Sequence, residues 1–283
     1  MKRKIIEFLG FLGLRVCVYI VLAVILLFLY DIGSKGGGAI SWEFLSQAPR
    51  KGMTEGGIFP AIMGTFLVTV VTAILAVPMG MFAAIYLNEY AKQTRLTRII
   101  RLAIRNLSGV PSIVYGLFGV ILFVNILKFG TSILSAGLTL GLLTLPWTIT
   151  ASEEALKTVP NSYREGALAL GATKWQSIRT NVLPYALPGM FTGTVLGLAR
   201  AAGETAPIMF TGVAFYLPFL PKSLSDQFMA LPYHLYVMAT QHHAISQVRP
   251  LAYGTALVLI VLILLMNMVV FILRFKLRRV KKE

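Results

Sequence analysis

The sequence predicts an all-α integral membrane protein with six transmembrane helices and one patterned cytoplasmic segment between the fourth and fifth. Three observations carry that expectation. Hydrophobic residues make up 57% of the chain and the mean hydropathy is +0.76, which excludes an ordinary soluble domain. Six stretches approach the length needed to cross a bilayer, roughly 14–31, 61–87, 110–128, 131–151, 185–214 and 251–273. Lysine and arginine are also unevenly placed. With the N-terminus inside, inner segments hold eighteen and outer segments six, so both termini and the loop 153–184 are expected in the cytoplasm. Much of the net charge of +15 is then a topogenic signal and an attraction to anionic lipid. The basic residues follow membrane edges without any nucleic-acid motif, so no nucleic-acid partner is expected.

The chain divides into a tail, first span and outer loop (1–57), a transmembrane domain (58–273) and a basic cytoplasmic tail (274–283). The first apolar stretch runs long and lacks a small-x-small cleavage site, so it reads as an uncleaved anchor. Arg15 lies near its inner end, where it can snorkel to headgroups. Cys17 is the single cysteine, which excludes an intrachain disulfide and a cysteine-built metal site. The second span carries Thr65, Thr69, Thr72 and Pro78, residues that suit helix packing and a kink, or the lining of a pore. Lys92 to Arg105 reads as an amphipathic surface segment. The third span opens Ser108-Gly-Val-Pro-Ser, with Pro111 suited to a first helical turn, and the fourth ends at the kink Leu145-Pro146-Trp147-Thr148.

The polar segment Glu153 to Pro184 is too patterned for a slack loop. Val159-Pro160 interrupts the arriving helix. Ser162 and Glu165 have the spacing of a capping box, Gly171 supplies a left-handed stop, and Thr173 and Gln176 repeat the box. Two short amphipathic helices are expected, one burying Tyr163, Ala167 and Leu170, the other Trp175, Ile178 and Val182, the second ending near Leu183-Pro184. Helices this short need neighbouring spans or a partner to lean on.

This segment resembles the EAA loop of ABC-importer permeases of the MetI-like superfamily. Glu165, Ala167, Gly171, Leu183 and Pro184 match that pattern, Ala172 follows the glycine, Gly166 replaces the middle alanine, and Asn181 stands where isoleucine is usual. The resemblance implies a MetI-like permease fold with cytoplasmic EAA coupling helices, in which these residues dock on an ATPase.

Span five carries Arg200 and Glu204, i and i+4 on one helix face, beside Gly203 and Thr205. Charges in a span normally face the bundle or a water-filled path. They can be a mutually neutralising structural pair. They can also form a site for an anion, since the arginine fork suits phosphate oxygens and a carboxylate can accept the proton of a hydrogen phosphate. Pro207 can break the helix there. Ala199 to Pro207, and the string Ser108 to Gly119, are similar to PstA-type permeases of phosphate importers, a likeness that covers nearly the whole chain. It implies a heterodimer with a PstC-type permease, two ATPase subunits that hold ATP and Mg2+, and an outer phosphate-binding protein meeting the loop 215–250. His234, His242 and His243 in that loop read as solvated side chains rather than metal ligands.

No Gly-x-x-x-x-Gly-Lys-Ser/Thr, Gly-x-Ser-x-Gly or His-Glu-x-x-His occurs, so no cofactor of its own and no enzymatic activity are expected. The function expected is a transport subunit for phosphate. The alternatives are an importer for another oxyanion (molybdate, sulfate or phosphonate) and an ATP-independent channel or carrier with Glu204 as its proton site.

Overall fold

The computed structural model describes residues 2–279; the last four residues of the basic tail lie outside the described residues. Helix α1 (Lys2–Gly36) leads to a short α2 (Trp42–Ser46) and a two-stranded antiparallel hairpin, β1 (Pro49–Arg50) with β2 (Glu55–Gly56). Then follow α3 (Phe59–Ile85), which passes into a π-wound turn Tyr86–Tyr90, and α4 (Arg95–Leu107). Helix α5 (Ser112–Gly119) continues as a π-wound stretch Val120–Ile126, and α6 (Ile133–Lys157) comes next. The polar segment holds α7 (Asn161–Ala169) and α8 (Lys174–Ser177); a third π-wound stretch, Ile178–Val182, joins α8 to α9 (Leu183–Gly203). The chain closes with α10 (Ala206–Thr211), α11 (Leu231–Thr240) and α12 (Ile245–Arg279). Five helical runs are long and apolar enough to cross a membrane, and the pair α4 and α5, bent by 101°, makes a sixth span if counted as one.

An apolar solvent gives helices little reason to associate, so small residues that admit close contact must hold the bundle together. In α3 and α6, Val71 packs over Gly137, and Thr72 donates both to Val68 O (2.8 Å) and across to Gly137 O (3.2 Å). Thr65, Thr69 and Thr72 are buried, so their role in this chain is packing rather than pore lining. Helices α6 and α9 run antiparallel, with Gly189 against Ala155, Gly193 against Ala151 and Gly197 against Thr144 and Trp147. Helix α1 stands almost alone, exposed from Gly10 to Tyr30 and held at its end, where Gly36 lies on the Tyr253 backbone of α12.

The segment between α10 and α11 folds back over the start of α6. Ser132, Ile133 and Leu134 donate their N–H groups to Thr211, Asp226 and Leu224, which satisfies helix-start donors that otherwise have no acceptor. Leu231 N–H likewise donates to Thr65 Oγ1 at 2.8 Å. The expectation of solvated histidines is overturned here, because His234 is only 2% exposed and His242 4%; of the three only His243 is exposed. His242 bonds the Gly52 carbonyl through Nε2 at 2.6 Å and accepts from Ala244 N–H at Nδ1. Burial of His234, and secondarily the His242 ring near it, pushes the His234 pKa down to about 4, so His234 is neutral at physiological pH. Among the described residues no group of three or more histidine, cysteine or acidic side chains could hold a metal.

Candidate functional site

Two places gather the residues singled out in the sequence: the helix pair between α6 and α9, and the C-terminal end of α9. At the helix pair, α7 starts at Asn161 with Pro160 before it, and no side chain caps it. The expected Ser162–Glu165 capping box is therefore not formed. The helix begins two residues early, which leaves Ser162 inside the first turn and Glu165 exposed. The C-terminal signal works as expected: Gly171 adopts φ +83°, its N–H donates to Leu168 O at 3.0 Å, and Ala172 N–H donates to Ala167 O at 3.1 Å. This doubly bonded arrangement is the Schellman stop. Nothing crowds Gly171, so the glycine answers a backbone demand rather than a spatial one. Gly166 is equally uncrowded, which explains why glycine is tolerated there.

The second capping box forms in full. Thr173 Oγ1 accepts from Gln176 N–H at 3.3 Å, and Gln176 Oε1 accepts from Thr173 N–H at 2.7 Å. The helix does not stop at Leu183-Pro184, as had been expected, because Pro184 falls in the first turn of α9, directly after the π-wound stretch. A π turn already displaces the hydrogen-bond ladder, so the missing proline N–H causes no break there. Packing also differs in part from the expected faces. Ala167, Ile178 and Val182 are buried, but Leu170 lies beyond the last turn of α7 and is 90% exposed, with Tyr163, Leu168 and Trp175 near half exposed. Two short stapled helices thus carry an exposed apolar rim.

Arg164 went unnoticed in the sequence. Its Nε and Nη2 donate to the Glu89 carboxylate at 3.1 and 2.7 Å, Nη1 to Val159 O at 2.8 Å, and Nη2 to Leu156 O at 3.1 Å. Glu89 lies in the π-wound turn below α3, its side chain only 5% exposed. A carboxylate just past an apolar span, needing a counter-charge, was the available signal. Beside this pair lies a cavity of about 530 Å3 lined by Asn88, Glu89, Asn161, Arg164, Lys174 and Ser177 among others. Nearby, Arg101 of α4 donates to Leu87 O at 2.8 Å, and its Nε stands 2.8 Å from Glu153 of α6, a charge contact without hydrogen-bond alignment.

At the second place, α9 ends at Gly203 and the chain breaks at Glu204 and Thr205 before α10. The over-long fifth span is thus a broken one, with Pro207 in the first turn of the new helix. Arg200 Nε donates to Glu204 Oε1 at 3.2 Å, and the two side chains are 46% and 17% exposed. Thr205 is half-buried beside them. Gly197, one turn before Arg200, packs against Thr144 and Trp147 in the middle of α6, which sets the pair well inside the bundle's length. Leu196, Arg200 and Gly203 make one exposed stripe on α9, so the arginine projects from this chain into space that the chain itself leaves open.

Comparison with known proteins agrees with this architecture. The family model described as "Binding-protein-dependent transport system inner membrane component" matches residues 76–279. "Probable ABC transporter permease protein YqgI" of Bacillus subtilis is 31% identical over 95% of this chain and 95% of its own length. "Phosphate transport system permease protein PstA 1" of Mycobacterium tuberculosis is 36% identical over 78% of this chain and 71% of its own. Among solved structures, a bacterial ABC transporter "involved in the import of the acidic polysaccharide alginate" superposes with a TM-score of 0.65 at 13% identity, over 94% of this chain and 95% of that one, a likeness of fold alone. A helical multi-pass chain with this stapled helix pair and these relatives belongs to the family of inner-membrane components of binding-protein-dependent transport systems, the MetI-like permeases.

Proposed function

We propose that this chain is the permease subunit of an ATP-driven phosphate importer. It forms a transmembrane path together with a second, PstC-type permease and is driven by two ATPase subunits, which hold ATP and Mg2+; an outer phosphate-binding protein delivers the substrate. Both termini and the α7–α8 pair face the cytoplasm. The observation that carries the transport reading is the α7–α8 pair, held by a Schellman stop at Gly171 and a closed capping box at Thr173, with an apolar rim at Leu168, Leu170 and Trp175 that is exposed among the described residues. Glu165, Gly166, Ala167, Gly171 and Ala172 form the docking body, and Leu183 and Pro184 carry it into α9.

The choice of phosphate rests on the Arg200 stripe and on relatives named as phosphate permeases. Arg200, Gly203, Glu204 and Thr205 border the path. A phosphate oxygen can displace Glu204 from the guanidinium, and the released carboxylate can accept the phosphate's proton. Labelled phosphate uptake by cells with and without the chain tests this, comparing ATP depletion with proton uncoupling. Loss that needs the chain and follows ATP is expected. Loss that follows the proton gradient would establish a carrier instead, and ATP-driven uptake of sulfate, molybdate or phosphonate but not phosphate would move the cargo.

A further inference from the structure

The α7–α8 pair is continuous with α6 on one side and α9 on the other, so any displacement of it reaches those two helices through the backbone. Helix α3 has no such link, since Glu89 at its base is 75 residues from Arg164. The guanidinium of Arg164 bridges that gap. Four of its five N–H donors are used: two on Glu89 and two on the carbonyls of Leu156 and Val159, which close α6. Leu156 lies in the last turn of α6, where its carbonyl also accepts from Val159 N–H at 3.3 Å, and Val159 follows just after that helix. Ser177 of α8 completes the junction with a long hydrogen bond, Oγ to Arg164 O at 3.5 Å. The Arg164 side chain therefore fastens the base of α3 and the end of α6 to α7, and its backbone carbonyl adds α8 at the same point.

The surroundings are the reverse of rigid. Glu89 lies in the π-wound turn Tyr86–Tyr90, and α8 leaves the junction through the π-wound stretch Ile178–Val182. Wide winding of this kind marks places where a helix can change its pitch. We propose that Arg164 is the stiff joint that carries movement of α7 and α8 to α3, with the two π-wound stretches as the compliant parts that let α3 and α9 swing. Arg164 is a positioning residue and touches no substrate. The proposal rests on the reading of 153–184 as the ATPase docking segment. Lysine cannot replace the fork, because a single ammonium cannot reach a carboxylate and two divergent carbonyls in this geometry.

The test uses the complete transporter in proteoliposomes, with Arg164→Lys and, as a variant that keeps the carbonyl bonds, Glu89→Gln. Spin labels at Tyr86→Cys and Leu170→Cys, both exposed in this chain, report the separation of α3 from α7. In the otherwise native protein that distance stays constant with and without ATP, and the Leu170 label is immobilised when the ATPase binds. In either variant the distance changes with ATP, while phosphate uptake per assembled complex falls about tenfold. A simple structural brace would lower the amount of complex and leave the distance constant. An immobilised label with constant distance and full uptake per complex in both variants would overturn the joint alone. A Leu170 label that stays free when the ATPase binds the native chain would overturn the docking reading, and the joint with it.

Discussion

Two of the arginine–glutamate pairs among the described residues share one chemistry and have opposite character. Arg164 and Glu89 are brought together from distant segments, are 20% and 5% exposed, and are bonded through two guanidinium nitrogens with backbone carbonyls taking further donors. Arg200 and Glu204 are neighbours on one helix turn, are 46% and 17% exposed, and share one bond of 3.2 Å. A guanidinium with nearly every donor engaged cannot accept a new ligand without loss, whereas one held by a single exposed contact can. That difference underlies the two proposals, in which the first pair transmits and the second exchanges partners. Position alone would not reveal this; the count of satisfied donors does.

The sharpest way to break the contrast is to remove each arginine and measure stability. Arg164→Ala strips buried Glu89 of its bidentate partner, leaving only Asn88 and the nearby charge of Lys174, and takes a donor from each of two carbonyls, so thermal unfolding should report a loss of about 3 kcal/mol. A loss near that of an exposed pair would make the two sites equivalent. A buried titratable group with no opposite charge supplies the control. His234 is held near pKa 4 against an ordinary 6.5, so the unfolded chain binds a proton that the fold excludes. Stability is therefore full above about pH 6.5 and falls as pH drops toward 4, by about 2 kcal/mol at pH 5. His234→Met should remove most of that slope in unfolding measured at pH 7 and pH 5. Smaller again is Gly171→Ala, which places a Cβ in a left-handed conformation and should cost about 1 kcal/mol. Because nothing crowds the site, that cost should appear in local protection of α7 by hydrogen exchange rather than in the bundle.

Features written in short-range sequence were readable before the structure. The spans, the glycine stop at Gly171, the box at Thr173 and the i, i+4 spacing of Arg200 and Glu204 depend on residues within one or two turns of each other. What was hidden depends on distant segments. Arg164 acts on a carboxylate 75 residues away and on carbonyls, which carry no sequence identity. His234 and His242 are interior, His242 against the distant Gly52 carbonyl of the hairpin before α3. The Ser162–Glu165 spacing was a true motif in the wrong register, displaced when Pro160 took the position before the helix. The π-wound stretches have no local signature at all; they mark where helix ends adjust to the packing around them.

The most direct test of the difference between the two pairs is Arg200→Gln in the reconstituted transporter, with ATP-driven phosphate uptake and thermal unfolding measured on the same preparation. An exposed single contact is worth less than about 1 kcal/mol, so the unfolding midpoint should barely move. Uptake should fall by about two orders of magnitude, as expected when a charge-assisted contact to the passing anion is lost. A stable protein that cannot move phosphate is the predicted result. Full uptake by the same variant would contradict the account and leave Arg200 and Glu204 as a structural pair.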